Sequence, residues 1–243
     1  MKILCVIPSR IGSTRLPRKP LLPIQGKPMI QWVYENARRC TLLDRVIVAT
    51  DSEEIAYVIR EAGGIATMTD PDLPTGSERC AAVAEQFPDV DVVINLQGDE
   101  PFIKPSMLEK LVSPYLAGET PEMTTLAFPL DWEKKYHDPG AVKVITDLHG
   151  NALYFSRAPI PYFRTHTTAP VYHHMGLYAF RRDFLQLYRT LPQTPLEKAE
   201  SLEQLRVLEN GYKIRVCLIH EKTLEINTLE EYESAQAFAY NDK

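Results

Sequence analysis

Cysteine is scarce in this 243-residue chain, and its four thiols, Cys5, Cys40, Cys80 and Cys217, lie far apart. No two form a C-x-x-C pair, and none joins a histidine at zinc spacing, which argues against a zinc module and a disulfide scaffold. Cys5 and Cys217 sit in apolar, strand-like runs and read as buried thiols of a reducing compartment. No apolar run approaches membrane-spanning length, and no apolar leader with a cleavage site opens the chain. A cytosolic protein with no membrane partner is expected. Excess positive charge is missing as well: 27 Lys and Arg face 32 Asp and Glu, for a net charge of −5. A pI near 5.7 gives no general reason to bind nucleic acid or anionic lipid. Neither G-x-x-x-x-G-K-[ST] nor G-x-G-x-x-G occurs, so there is no P-loop and no dinucleotide fingerprint. Internal repeats, low-complexity tracts and Gly/Ser linkers are also absent.

Against this acidic background, positive charge is concentrated in one place. The stretch Arg10-Ile-Gly-Ser-Thr-Arg-Leu-Pro-Arg-Lys-Pro-Leu21 packs Arg10, Arg15, Arg18 and Lys19 behind the apolar run Ile3-Leu-Cys-Val-Ile-Pro8. Arginine presents a planar fork that matches phosphate, and lysine a compact charge. Pro17 and Pro20 stiffen the loop and reduce the entropy lost on ordering it. A solvated charged loop is the plain alternative. A second rim candidate is Gln97-Gly-Asp-Glu-Pro101, which follows the run Val92-Val-Ile-Asn-Leu96. Asp99 or Glu100 could hold Mg²⁺, a hard cation that prefers oxygen; a turn with solvated acids is the alternative there.

The first half alternates strand-like and helix-like segments. Apolar runs at Lys2–Pro8, Arg45–Thr50, Gly64–Met68 and Val90–Leu96 predict strands. Between them, Met29–Cys40, Ser52–Ala62 and Ser77–Phe87 predict helices. Ser52 is a candidate cap, Gly63-Gly64 a stop, and Thr75-Gly-Ser-Glu78 a capping box. Alternating β and α elements imply a mostly parallel sheet, with ligands beyond the carboxyl ends of its strands. The basic loop, Thr50-Asp51 and Gln97–Pro101 should therefore share one rim. In the second half, Met123–Pro129, Ala141–Thr146, Ala152–Ser156, Tyr172–Phe180 and Lys213–His220 predict strands, with a turn at Gly150 and a loop over 158–170. Arg182–Arg189 and Ser201–Asn210 predict helices, the latter with Ser201 and Gln204 as a capping box. Thr228-Leu-Glu-Glu231 predicts a capping box for the last helix. One α/β domain spanning residues 1–243 is expected, with an inserted, partly antiparallel subregion over about 130–200 as a lid or dimerisation element.

The chain resembles the 3-deoxy-manno-octulosonate cytidylyltransferase (CMP-Kdo synthetase) family over essentially its whole length. The resemblance is carried by Ile7-Pro-Ser-Arg10, Ser13-Thr-Arg-Leu-Pro-Arg-Lys-Pro-Leu21, Ala49-Thr-Asp51, Gly76-Ser-Glu-Arg79 and Asn95-Leu-Gln-Gly-Asp-Glu-Pro101. It continues in Ala152-Leu-Tyr-Phe-Ser-Arg-Ala-Pro-Ile-Pro161, His174-Met-Gly-Leu-Tyr178 and Leu196-Glu-Lys-Ala-Glu-Ser-Leu-Glu-Gln-Leu-Arg206. The first loop alone indicates only a nucleotidyltransferase; the Tyr-Phe-Ser-Arg and Glu-Gln-Leu-Arg segments are narrower signals. The resemblance implies a Rossmann-like, GT-A-like nucleotidyltransferase fold, a three-layer α/β sandwich with a mixed, mostly parallel sheet. It implies that CTP and Kdo give CMP-Kdo and pyrophosphate for lipopolysaccharide synthesis, with Mg²⁺, in a cytoplasmic homodimer.

The resemblance also implies residue roles. Arg10, Ser13, Arg15 and Lys19 match the triphosphate grip, with Lys19, Arg15 and Asp99 catalytic. Gly76, Ser77 and Arg79 match the segment beside cytosine and ribose. Gln97, Arg157, His174, Glu203 and Gln204 match sugar-facing positions, while Arg18 falls on a variable one. Without the resemblance, His174 reads as a core histidine and Glu203 and Gln204 as a helix start. Asp99 matches a metal ligand. Asn227, in Glu225-Ile-Asn-Thr228, stands where the family usually has a second metal-binding aspartate. An amide oxygen still suits Mg²⁺ but brings no charge. Leu73 stands where a histidine is common. The rivals are a cytidylyltransferase for another acid sugar, such as an amino-substituted Kdo or a sialic acid, and a non-catalytic nucleotide-binding module.

Overall fold

A computed structural model describes residues 1–12, 16–165, 169–220 and 223–237. The chain divides into two compact units, residues 1–109 with 222–243, and residues 110–221. The subregion expected over about 130–200 falls inside the second.

The first unit opens with β1 (Ile3–Ser9), a 3-10 turn (Lys19–Leu21), the short strands β2 (Pro23–Ile24) and β3 (Lys27–Pro28), and α1 (Met29–Arg38). It continues with β4 (Arg45–Thr50), α2 (Glu53–Glu61), β5 (Ile65–Met68), α3 (Gly76–Ala84) and β6 (Val92–Asn95). Four strands run parallel in the order β6-β1-β4-β5. β1 and β6 are buried almost throughout, as continuous apolar runs should be when both sheet faces are covered. In α1, Ile30, Val33, Tyr34 and Ala37 form the buried stripe at helical spacing. α2 ends as expected: Gly63, at φ 71°, donates to Arg60 O, and Gly64 to Ile59 O. Its start differs, because Ser52 precedes the helix but makes no side-chain cap bond. The Thr75/Glu78 capping box is present at the start of α3.

α4 (Pro105–Leu116) leads into the second unit. Periodicity did not predict it, since Pro114 lies within it. A proline cannot donate to the carbonyl four residues back; here Ser113 Oγ donates to Lys110 O at 2.8 Å instead. Next come β7 (Met123–Pro129), α5 (Trp132–Lys135), β8 (Lys143–Thr146), β9 (Ala152–Ser156) and β10 (Tyr172–Arg181). Helices α6 (Arg182–Tyr188), α7 (Pro195–Glu200) and α8 (Leu205–Glu209) precede β11 (Ile214–Leu218). β7 pairs antiparallel with β10 and parallel with β11, and β8 pairs antiparallel with β9 and β10. The expected mixed α/β architecture is therefore present. The expected capping box at Ser201 is not: Ser201 has φ 52° and closes α7, its N–H donating to Glu197 O.

The last helix, α9 (Leu229–Ala237), belongs to the first unit. It opens on the expected box, with Glu231 N–H on Thr228 Oγ1 at 3.2 Å and Thr228 N–H on Glu231 Oε2 at 2.9 Å. Ala235 and Ile226 pack with Leu16, Ile24, Met29 and Phe102. Tyr232 Oη and Gln236 Nε2 both donate to Pro23 O, at 2.7 and 2.6 Å. These contacts bring the carboxyl-terminal segment beside the basic loop.

Candidate active site

Parallel strands bring their carboxyl ends to one rim, and the first unit has a cleft there of about 370 Å³. Pro8, Ser9, Arg10 and Gly12 line it from the end of β1, Lys19 and Pro20 from the basic loop, Gln97, Gly98 and Asp99 from the loop after β6, and Asn227 from the start of α9. Lys19 Nζ donates to Asp99 Oδ2 at 2.7 Å and to Asn227 Oδ1 at 3.1 Å. Ile226 N–H donates to Asp99 O at 3.1 Å, tying the two acceptor segments together. Thr50-Asp51 joins the same rim, since Ile11 N–H donates to Asp51 Oδ1 at 3.2 Å. Arg18 points elsewhere: it is exposed and pairs with Glu54. Ser13 and Arg15 lie outside the described residues.

The two acids of the Gln97–Pro101 loop have separate fates. Asp99 faces the cleft. Glu100 is buried, and Thr223 Oγ1 donates to its Oε2 at 3.2 Å. Burial first, then the charges of Glu225 and Asp99, hold the Glu100 carboxyl well above the usual carboxylate range. Glu100 is thus a buried acid of the wall, and Asp99 is the candidate ligand.

Gly76, Ser77 and Arg79 build the wall and do not line the cleft. A Cβ on Gly76 would stand 3.1 Å from Pro8 Cγ, a tight contact where α3 approaches β1. Ser77 and Arg79 have no exposed side chain. Asn95 links this wall to the cleft: its Nδ2 donates to Ser77 Oγ at 3.0 Å, and Gln97 Nε2 donates to its Oδ1 at 3.2 Å. Sequence reasoning missed Asn95, although a polar residue inside Val92–Leu96 was a visible signal. Arg79 donates to Thr69 Oγ1 and lies 3.7 Å from Asp51. Burial, which outweighs Asp51, pulls its pKa down.

The other sugar-facing candidates lie in the second unit. Arg157 Nε donates to Glu200 O at 2.8 Å and its Nη1 to Pro139 O at 3.0 Å; its own N–H is held by Glu200 Oε2 at 2.9 Å. Part of the fork is thus already engaged by main-chain carbonyls. Glu200, unrecognised from sequence, also accepts from Ser156 Oγ at 2.6 Å. His174 is buried between Phe155 and Tyr178, with Nε2 2.9 Å from Thr125 Oγ1. The single Thr125 hydroxyl proton faces two acceptors, Met175 O and Leu177 O. Nε2 therefore carries the proton given to Thr125 Oγ1, and Nδ1 is left as an acceptor. Burial, and secondarily His173, lowers the His174 pKa to about 3. Gln204 is buried, its Oε1 accepts from Tyr178 Oη at 3.1 Å, and its Nε2 has no partner among the described residues. Glu203 is half-buried just before α8.

A hard divalent cation fits the first-unit cleft. Asp99 Oδ1 is buried with no hydrogen-bond partner among the described residues, while Asp99 Oδ2 and Asn227 Oδ1 already flank one positive charge, the Lys19 ammonium. Among the described residues no three His, Cys, Asp or Glu gather as a metal cage. A cation here would need further oxygens from a bound polyphosphate. No helix among the described residues is long and apolar enough to cross a membrane.

A family model for cytidylyltransferases matches residues 4–214. The chain is 55% identical over 238 residues to the 3-deoxy-manno-octulosonate cytidylyltransferase of Acaryochloris marina, covering 98% of this chain and 97% of the relative. It is 53% identical over 240 residues to that of Synechococcus elongatus, covering 98% of each. A solved CMP:2-keto-3-deoxy-manno-octonic acid synthetase complexed with CTP matches with TM-score 0.93 at 41% identity, over 98% of both chains. A cationic loop and an acid meeting at the carboxyl rim of a parallel sheet accord with these likenesses, and the chain belongs to the 3-deoxy-manno-octulosonate cytidylyltransferase family of nucleotidyltransferases.

Proposed function

We propose that the protein transfers CMP from CTP to Kdo, 3-deoxy-D-manno-octulosonate, and releases pyrophosphate. The observation that carries the reading is the first-unit cleft, where Lys19 meets Asp99 and Asn227 with Arg10 on the same wall. The 41%-identical relative complexed with CTP supports the choice of nucleotide.

In this reading the Kdo anomeric hydroxyl attacks the α-phosphorus and loses its proton to solvent, while the bond from the α-phosphorus to the bridging oxygen breaks and pyrophosphate leaves in line. Such transfers depend on positioning and on charge stabilisation. Lys19 and Arg10 receive the phosphate oxygens, and Arg15 assists. Lys19 faces the charge that grows on the leaving group, where a preorganised cation is most effective. Asp99 and Asn227 would hold Mg²⁺, which would supply neutralisation of phosphate charge at this site. Ser13 is assigned to the triphosphate by family resemblance, and Gly76, Ser77 and Arg79 shape the wall beside the base. Gln97, Arg157, His174, Glu203 and Gln204 recognise the sugar acid, with Arg157 directed to its carboxylate. The neutral His174 holds a fixed tautomer, so it can accept a sugar hydroxyl through Nδ1. The same reading takes the protein as a cytoplasmic homodimer; gel filtration at working concentration checks the dimer.

The test is pyrophosphate release with CTP, Mg²⁺ and Kdo, repeated with UTP and ATP and with a sialic acid and an amino-substituted Kdo. CTP and Kdo together should give the largest kcat/KM. Binding of CTP with no pyrophosphate from any acid sugar would leave a nucleotide-binding module instead.

A further inference from the structure

An amide at a cation site has a weakness that a carboxylate does not: only one of its two ends can face positive charge. At Asn227 two neighbours decide which end does. Lys19 Nζ, a pure donor, lies 3.1 Å from Oδ1. Glu225 Oε1, an acceptor, takes a hydrogen bond from Nδ2 at 2.5 Å. Turning the amide over would set its NH₂ against an ammonium and its oxygen against a carboxylate, two repulsions at once. The main chain here is held independently. Asn227 N–H and Thr228 N–H both donate to Glu231 Oε2, at 2.7 and 2.9 Å. Ile226 N–H donates to Asp99 O at 3.1 Å. With the backbone anchored, side-chain rotation is the remaining freedom, and Glu225 is the group that restrains it from behind.

We infer that Glu225 is a positioning residue for the divalent cation: it grips Asn227 Nδ2 so that Oδ1 faces Asp99 and the cleft. Its carboxylate also polarises the amide and returns part of the negative potential that an aspartate at 227 would supply. The inference rests on the metal-dependent reading proposed above. A partner behind a metal ligand commonly sets affinity by ten- to a hundredfold without touching the ion.

The experiment is Mn²⁺ titration of the protein with saturating CTP and no sugar, followed by water-proton relaxation, so that no turnover is involved. Glu225→Gln removes the charge and lets either end of the amide face the cleft; Mn²⁺ affinity should fall about tenfold or more. The exchanged pair Glu225→Gln with Asn227→Asp restores one amide donor against one carboxylate. It should recover affinity to wild-type or better, with an unfolding midpoint close to that of the single variant. A purely structural role for Glu225 would instead lower the midpoint and leave Mn²⁺ affinity in place. Unchanged affinity in Glu225→Gln, or no recovery in the exchanged pair, overturns the inference. If the wild type still releases pyrophosphate from CTP and Kdo, the inference falls alone. If it releases none, the functional reading falls and takes the inference with it.

Discussion

Lys19 Nζ sits 2.7 Å from Asp99 Oδ2, although the two are 80 residues apart in sequence, and both side chains are largely shielded from solvent. One comes from the loop after β1 and the other from the loop after β6, and parallel pairing of β1 with β6 carries both to the same rim. Lys19→Met and Asp99→Asn should each lower kcat/KM by about 10²–10³-fold, the scale of losing one preorganised charged contact. Because each residue is the other's partner, the double variant should lose less than the product of the two. Steady-state pyrophosphate kinetics checks both points; strictly multiplicative losses would show that the residues act apart.

Gly98 forms the floor of the cleft. A Cβ there would meet Pro8 O at 3.1 Å, a backbone atom that cannot swing aside, and Ile30 Cδ1 at 3.4 Å. Gly98→Ala should raise KM for CTP several-fold and destabilise the fold by about 1–3 kcal/mol, the usual cost of overpacking. Kinetics paired with urea unfolding tests this; an unaltered KM would show that the floor yields freely.

In the second unit, Arg206 and Glu197 form a buried two-point ion pair, Nε to Oε2 at 2.8 Å and Nη2 to Oε1 at 2.6 Å. The guanidinium also lies over the Tyr188 ring. Arg206→Met strands a buried carboxylate and should cost about 3–5 kcal/mol in urea unfolding. Adding Glu197→Leu should recover most of that loss, because the stranded charge is then gone. A double variant no more stable than the single one would contradict this account.

His174 makes stability depend on pH in a defined direction. Unfolded, it titrates near 6.5; folded, at about 3. Between those values the unfolded chain holds the proton and the folded protein does not. Stability is therefore full above pH 6.5 and falls as pH drops toward 3, by at most about 1.4 kcal/mol per pH unit from this group. His173, lowered to about 4 chiefly by burial, acts with the same sign. Urea midpoints at pH 7, 6, 5 and 4 should converge between the wild type and His174→Gln as pH falls. Parallel curves would mean that His174 is already charged in the folded state.

Local chemistry was legible in the residues themselves. Arg45–Thr50, Met123–Pro129 and Ala152–Ser156 are strands with the expected bounds, because apolar, β-branched runs need no distant partner to be recognised. The boxes at Thr75/Glu78 and Thr228/Glu231 form because their groups sit three residues apart. α4 was hidden by Pro114, whose missing donor is offset by a neighbouring hydroxyl that no periodicity reveals. Ser201 misled because its αL backbone closes one helix where its side chain suggested the start of another.

The order of residues thus determined the longer strands, the boxed starts of α3 and α9 and the placing of a cationic loop after the first strand. Tertiary structure alone decided that Asp99 faces the cleft while Glu100 turns inward. It alone brought Asn227, 208 residues away, within 3.1 Å of Lys19. The physical reason is that strand register and the packing of α9 fix such distances, and both depend on burying apolar side chains from remote segments together.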